Sequence, residues 1–174
     1  MSVSAPASVG PGGAASGRGE NQTLYSFSAE PYPAGHFQVQ SFEGRELISG
    51  LFRFDIQVTC PAGAEEQVMQ LPLGQRAAFT LRVGDVVRTF QGVVASIRLL
   101  GMRPLQHMAQ YCFRLVPRLW LLKHRRNTRI FQNMRVNEVI AAVLGGAGMK
   151  ARFELKRKYP LREYCTQYEE TDYA

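Results

Sequence analysis

Hydrophobic and polar positions alternate along the chain from Leu24 to Val116. The clearest run is Phe52, Phe54, Ile56 and Val58, interleaved with Arg53, Asp55, Gln57 and Thr59. A period of two marks a strand with one face on a core and one face in water. Shorter runs of the same kind cover Leu24–Ser28, His36–Phe42, Ala77–Val83, Val86–Leu100 and Gln110–Val116. Pro31 and Pro33, the stretch Pro61–Gly74, Pro104 and Pro117 interrupt them. Gly84-Asp85 reads as a two-residue hairpin turn, since glycine accepts positive φ at little cost. Gly92 reads as a bulge or bend inside a long strand. About six strands joined by turn signals predict an antiparallel barrel or sandwich and exclude βαβ units.

After Pro117 the pattern changes. Leu119–Leu122 is an apolar run too short to carry a period, and Ile130-Phe131 is a second apolar pair. From Val136 the apolar positions fall at 136, 139, 140, 143 and 144, one face of an α-helix. Glu138 suits the positive start of that helix, and Gly145-Gly146 reads as its end. Ala151–Leu155 and Leu161–Tyr168 read as strands, and Thr171 could cap a further helix. Residues 1–22, rich in Gly, Ser, Ala and Pro, bury little and predict a disordered tail. The resulting fold class is mainly β, an antiparallel barrel with one helix and the start of a second β unit. Its divisions are the tail (1–22), a first barrel (23–135), and a helix with the beginning of a second barrel (136–174).

Charge sharpens this picture. The net charge is +7. Between Arg98 and Lys158 stand fourteen Lys and Arg against two acids, Glu138 and Glu154. A positive face on that half favours an acidic protein surface, nucleic acid or anionic lipid. The basic run His124-Arg125-Arg126-Asn127-Thr128-Arg129, flanked by Trp120 and Phe131, is the strongest nucleic-acid candidate. A stand-alone basic barrel that binds single-stranded nucleic acid or another anionic partner is therefore one reading. The three cysteines are widely spaced and contain no C-x-x-C, so a reducing compartment fits. The start of the sequence lacks a basic, then apolar, signal pattern, and no apolar run approaches the roughly 20 residues that cross a bilayer.

Candidate chemistry adds little. There is no G-x-S-x-G, Walker A, H-E-x-x-H or EF-hand pattern. His36, His107 and His124 have no carboxylate or thiol at ligand spacing. A dyad of Cys112 with His107 or His124 would need an exposed thiol, and Cys112 lies in a buried strand pattern. The sequence thus predicts no catalytic residue, metal site or cofactor, and no enzyme.

Three segments together carry a resemblance: R-L-W-L-L-K-H-R-R-N-T-R-I-F-Q, the helix V-N-E-V-I-A-A-V-L, and Y-P-L-R-E-Y-C-T-Q-Y-E-E-T-D. They resemble the N-terminal, phage-tail-hub-like region of the VgrG family, the spike proteins of type VI secretion. The earlier F-Q-V-Q-S-F-E-G-R-E-L-I-S-G-L-F-R-F-D-I is similar to that family's opening strands. The resemblance covers about residues 24–172. It implies a homotrimeric structural hub that docks on the Hcp tube protein and on baseplate components, without inserting in a membrane. It also implies assembly in the cytoplasm and delivery across the envelope without a signal peptide. Against full family members the sequence looks truncated, with the second barrel only begun. The signature positions are Trp120, Arg126, Asn127, Arg129, Phe131, Gln132, Tyr164, Gln167, Tyr168, Glu170, Thr171 and Asp172, joined by Arg125 from the basic run. The resemblance implies structural or interaction roles for them. Trp120 and Phe131 would pack the helix onto the barrel, while the Arg and Asn side chains would satisfy backbone carbonyls or acidic neighbours.

Overall fold

In the computed structural model, which describes residues 2–6, 23–63, 65–103, 105 and 107–174, the alternating runs become antiparallel strands. The chain divides into two units, Met1–Arg118 and Leu119–Ala174.

The first unit is a sheet of seven strands: β1 (Ser2–Pro6), β2 (Thr23–Ala29), β3 (Gln38–Arg45), β4 (Arg53–Pro61), β5 (Arg76–Val83), β6 (Val86–Arg103) and β7 (Met108–Val116). Their spatial order is β1-β3-β4-β7-β6-β5-β2, with every pair antiparallel. An isolated bridge between Phe27 on β2 and Phe37, just ahead of β3, draws opposite sides of the sheet together. The sheet is therefore curled, barrel-like, around one core. Phe54, Ile56 and Val58 on β4 point into it, as the period of two requires. Across from them lie Phe42, Phe79, Tyr111, Phe113 and Leu115, all buried. Ring pairs such as Phe54–Phe90, with centroids 4.4 Å apart, and Phe42–Phe79, 4.9 Å apart, fill the interior. Each such side chain contributes roughly 2 kcal/mol by leaving water.

On the wet face, Arg114 stands directly opposite Asp55. It donates from Nε to Oδ1 at 2.7 Å and from Nη2 to Oδ2 at 3.1 Å. This bidentate pair fixes the β4–β7 register. Gly84 carries the positive φ its turn needs, 56°. Gly92 is a glycine for a different reason from the one expected. A Cβ there would lie 2.1 Å from the Val116 carbonyl oxygen, while the nearby bulge falls between Val94 and Ser96.

The loop Pro61–Gly74 contains a short helix, α1 (Glu65–Met69), which places Val68 in the core. The tail expected over residues 1–22 is in part a strand. Residues 2–6 form β1 and pair with β3, whose outer backbone groups would otherwise lack partners. Residues 7–22 lie outside the described residues.

The second unit holds a 3-10 helix (Arg118–His124, entered from the last residue of the first unit), β8 (Arg126–Arg135), α2 (Val136–Gly146) and β9 (Leu161–Thr171). β8 and β9 pair antiparallel as a two-stranded sheet. The boundary expected after residue 135 therefore lies at 118/119, because residues 126–135 pair with β9 and with no strand of the first sheet. α2 begins as expected. The Arg135 N–H donates to Glu138 Oε2 at 2.6 Å, so Glu138 caps the free amide end. The helix ends at Gly146, as Gly145-Gly146 predicts. Gly148 takes φ 67°, and the Met149 N–H returns to the Leu144 carbonyl at 2.9 Å. Residues 151–155 pair with no strand, and Thr171 ends β9 without opening a helix.

Candidate functional site

The signature residues converge on the β8–β9 hairpin. Along β8 the side chains of Asn127, Arg129 and Phe131 point inward, and Arg126, Thr128, Ile130 and Gln132 point out. Polar groups thus occupy inward positions while Ile130 is exposed. Two polar inward positions on one strand require an acceptor inside.

Asp172 supplies it. Its side chain is fully enclosed, and its Oδ1 accepts from Asn127 Nδ2 at 2.9 Å and from Gln167 Nε2 at 3.0 Å. The Arg129 Nη2 donates to the same oxygen, and the Arg125 Nε lies 3.5 Å from Oδ2. Arg129 also donates from Nε to Gln167 Oε1 at 3.1 Å, directly across the β8–β9 ladder. Gln167, itself buried, closes the ring by donating to the Glu170 carbonyl at 3.1 Å. The Asp172 backbone joins in, since its N–H donates to the Arg125 carbonyl at 2.8 Å. Burial pushes the Asp172 carboxyl up. Hydrogen bonds from Gln167, Asn127 and Arg129, and the charge of Arg129, outweigh that and hold it below the usual carboxylate range.

The remaining signature residues sort by face. Phe131 lines a groove with Val139, Ile140, Val143 and Leu144, the apolar stripe of α2. The Arg129 guanidinium sits 5.9 Å from its ring centroid. Trp120 stands outside that groove, half-buried, and its described ring contact is His124 at 4.3 Å. Gln132, Tyr164 and Tyr168 lie on the outward face; the two tyrosines are 67% and 69% exposed beside Ile130 at 63%. The Glu170 side chain is exposed, and so is Arg126, which makes no ion pair among the described residues.

Chemically this site is a latch. A carboxylate held by two arginines and two amides, with no room for a ligand on Oδ1, ties the end of β9 to the start of β8. Of the arginines in the basic run, Arg125 and Arg129 face Asp172, while Arg126 is exposed. The sequence signature contains every member of the latch, Asp172 included, but not the contacts between them, because Asn127 and Asp172 are 45 residues apart. Among the described residues, no group of three His, Cys, Asp or Glu side chains is placed to hold a metal. Cys112 is buried on β7, with Arg98 Nη2 3.6 Å from its sulfur. No described helix is long and apolar enough to cross a membrane.

Comparison with known proteins gives concordant results. The family model for the phage tail baseplate hub (GPD) matches residues 45–174. The type VI secretion system spike protein VgrG5 of Pseudomonas aeruginosa is 38% identical over 160 residues, covering 88% of this chain and 19% of the relative. VgrG3 of Vibrio cholerae is 35% identical over 144 residues, 77% of this chain and 14% of the relative. The chain thus spans about a fifth or less of the length of these relatives. Among solved structures, the E. coli c3393 protein superposes with a TM-score of 0.70 at 34% identity, covering 84% of this chain and 40% of that one. That protein is described as a component of the type VI secretion system with structural similarity to the T4 bacteriophage tail proteins gp27 and gp5.

Proposed function

The chain belongs to the phage tail baseplate hub family, and on that premise we propose that it is a structural hub segment of a type VI secretion spike. It associates with copies of itself as a homotrimer and docks on the Hcp tube protein and on baseplate components. It is assembled in the cytoplasm and carried across the envelope by the system itself. Its signature residues serve assembly and not catalysis.

The observation that carries this reading is the coincidence of two independent features. The hub family match spans both units, and the residues of the β8–β9 signature are spent on structure, in the Asp172 latch, or displayed on an open face. An enzyme site would show titratable groups aimed into a cleft, whereas the Asp172 carboxylate is enclosed by its own hairpin. The outward face of Ile130, Tyr164 and Tyr168 is the kind of surface that interfaces use, since tyrosines bury much area at little entropic loss.

The test is the mass of the purified chain in solution, with capture of purified tube protein. A species about three times the 19.5 kDa protomer that retains tube protein is the expected result. A monomer at about 100 μM that captures no tube protein would overturn the proposal.

A further inference from the structure

The N-terminal strand β1 (Ser2–Pro6) is held along one edge only. Among the described residues it pairs with β3 and with no other strand. Its ladder covers Ser41–Arg45, with Ser2 across from Arg45 and Pro6 across from Ser41. The other edge of β3 is taken by β4, so β1 lies on the edge that meets β2 at the Phe27–Phe37 bridge. There it covers backbone groups of β3 that β2 does not reach. The ladder stops at Pro6, which has no N–H to donate.

The connection from β1 to β2 is far longer than this placement needs. Both strands run antiparallel to β3, hence in the same direction along one edge. Continued at the register of the Phe27–Phe37 bridge, β2 would bring Thr23 across from Ser41, the residue that Pro6 pairs with. On that register the end of β1 and the start of β2 fall at the same point of the β3 edge, and a few residues would join them within one chain. Sixteen stand between them, residues 7–22. Extended, they reach roughly 55 Å. That exceeds the roughly 35 Å width of a domain of about 110 residues.

We propose that in the self-associated protein β1 is exchanged, so that residues 2–6 of one copy form the strand on the Ser41–Arg45 edge of a second copy. This rests on the self-association stated above and names one of its contacts. The occupant of the edge is the strand the structure already shows there. Its ladder is the same, pair for pair, within one copy or between two. Exchange therefore loses no strand pairing, and the length of residues 7–22 supplies the reach. A copy that gives its strand away keeps an edge to be filled, by its recipient or by a third copy. The exchange is then reciprocal in a pair or runs head-to-tail around a ring.

Cysteine pairs test the exchange directly. Ser4 stands across from Glu43, which is exposed. Facing Cα atoms in an antiparallel ladder are about 4.5–5.5 Å apart, within reach of a disulfide. Ser4→Cys and Glu43→Cys are made in separate full-length chains, each with Cys165→Ser to remove the partly exposed native thiol. The two chains are co-expressed, purified together and mildly oxidised, and the 4–43 disulfide is identified by mass spectrometry. In that mixture it can join only two different copies. With random assortment about half of the Ser4→Cys chains should be cross-linked, and fewer than about one in five overturns the proposal. The double variant Ser4→Cys/Glu43→Cys shows where the strand went instead. A disulfide within single chains there, with none in the mixture, places β1 on its own β3; no disulfide in either sample takes it off that edge; both overturn the exchange. Sedimentation of the wild-type chain at about 100 μM separates the two readings. If it is monomeric, self-association falls as well; if it associates without the cross-link, the exchange alone falls.

Discussion

Replacing Asp172 with alanine should unfold the second unit first. The substitution leaves Asn127 Nδ2, Gln167 Nε2 and Arg129 without the oxygen they share. A hydrogen bond to a charged group is worth about 1.5–3 kcal/mol, but three bonds on one atom do not add. The arginines also keep access to water, with Arg129 27% and Arg125 37% exposed, which screens their repulsion once the carboxylate is gone. These considerations give a loss of about 3 kcal/mol for Asp172→Ala, and about half that for Asp172→Asn, which keeps an acceptor in place. For a unit this small the alanine variant should melt about 10–20 °C lower. Trp120 is the only tryptophan and lies in this unit, so its fluorescence reports the transition directly. An alanine variant whose Trp120 transition stays within about 2 °C of wild type would refute the reasoning. So would additivity in the double variant Asp172→Ala/Arg129→Ala. Once the carboxylate is gone, the second truncation should cost at least about 1 kcal/mol less than it does alone.

The other predictions concern the same units. The folded-state Asp172 carboxyl lies below its ordinary value, so in acid the unfolded chain binds the extra proton. The contribution of Asp172 to stability is therefore complete above about pH 5 and is lost as pH falls through about 4 towards the folded value. Urea midpoints read by Trp120 should fall over that range, and less so in Asp172→Asn. Arg126→Ala should leave the same midpoint within about 0.5 kcal/mol, because that side chain is exposed and unpaired among the described residues, and a larger loss would assign it to the latch. Gly92→Ala drives a methyl group into the Val116 carbonyl and should destabilise the first unit by about 2–3 kcal/mol in urea unfolding, with the Trp120 transition as an internal control.

The barrel strands were legible because one physical rule governs them. Where one face is buried and the other wet, as on β4, the side chains must alternate, and Phe54, Ile56 and Val58 announce the core. The same rule does not reveal β8. There Asn127 and Arg129 turn inward and Ile130 outward, since a buried carboxylate from the chain's end makes the inside polar. Local pattern does not carry that information. The displaced boundary has the same cause, because β8 was assigned to the first barrel while its partner, β9, lies beyond the helix. The end of α2 at Gly145-Gly146 was legible, and the left-handed turn that follows it is made by Gly148. The members of the latch were legible from the family signature, and their geometry was not.

The single bridge between Phe27 and Phe37 has a kinetic consequence. Every neighbouring pair of main strands in the first unit is laced by a ladder of five or more register pairs, but among the described residues β2 meets the β3 side at that bridge alone. The curled sheet therefore has a seam, and thermal opening should start there. Amide protons of β2 should exchange with solvent faster than those of β4 and β7, which are flanked on both edges. Under mechanical load, the seam is where the sheet would peel.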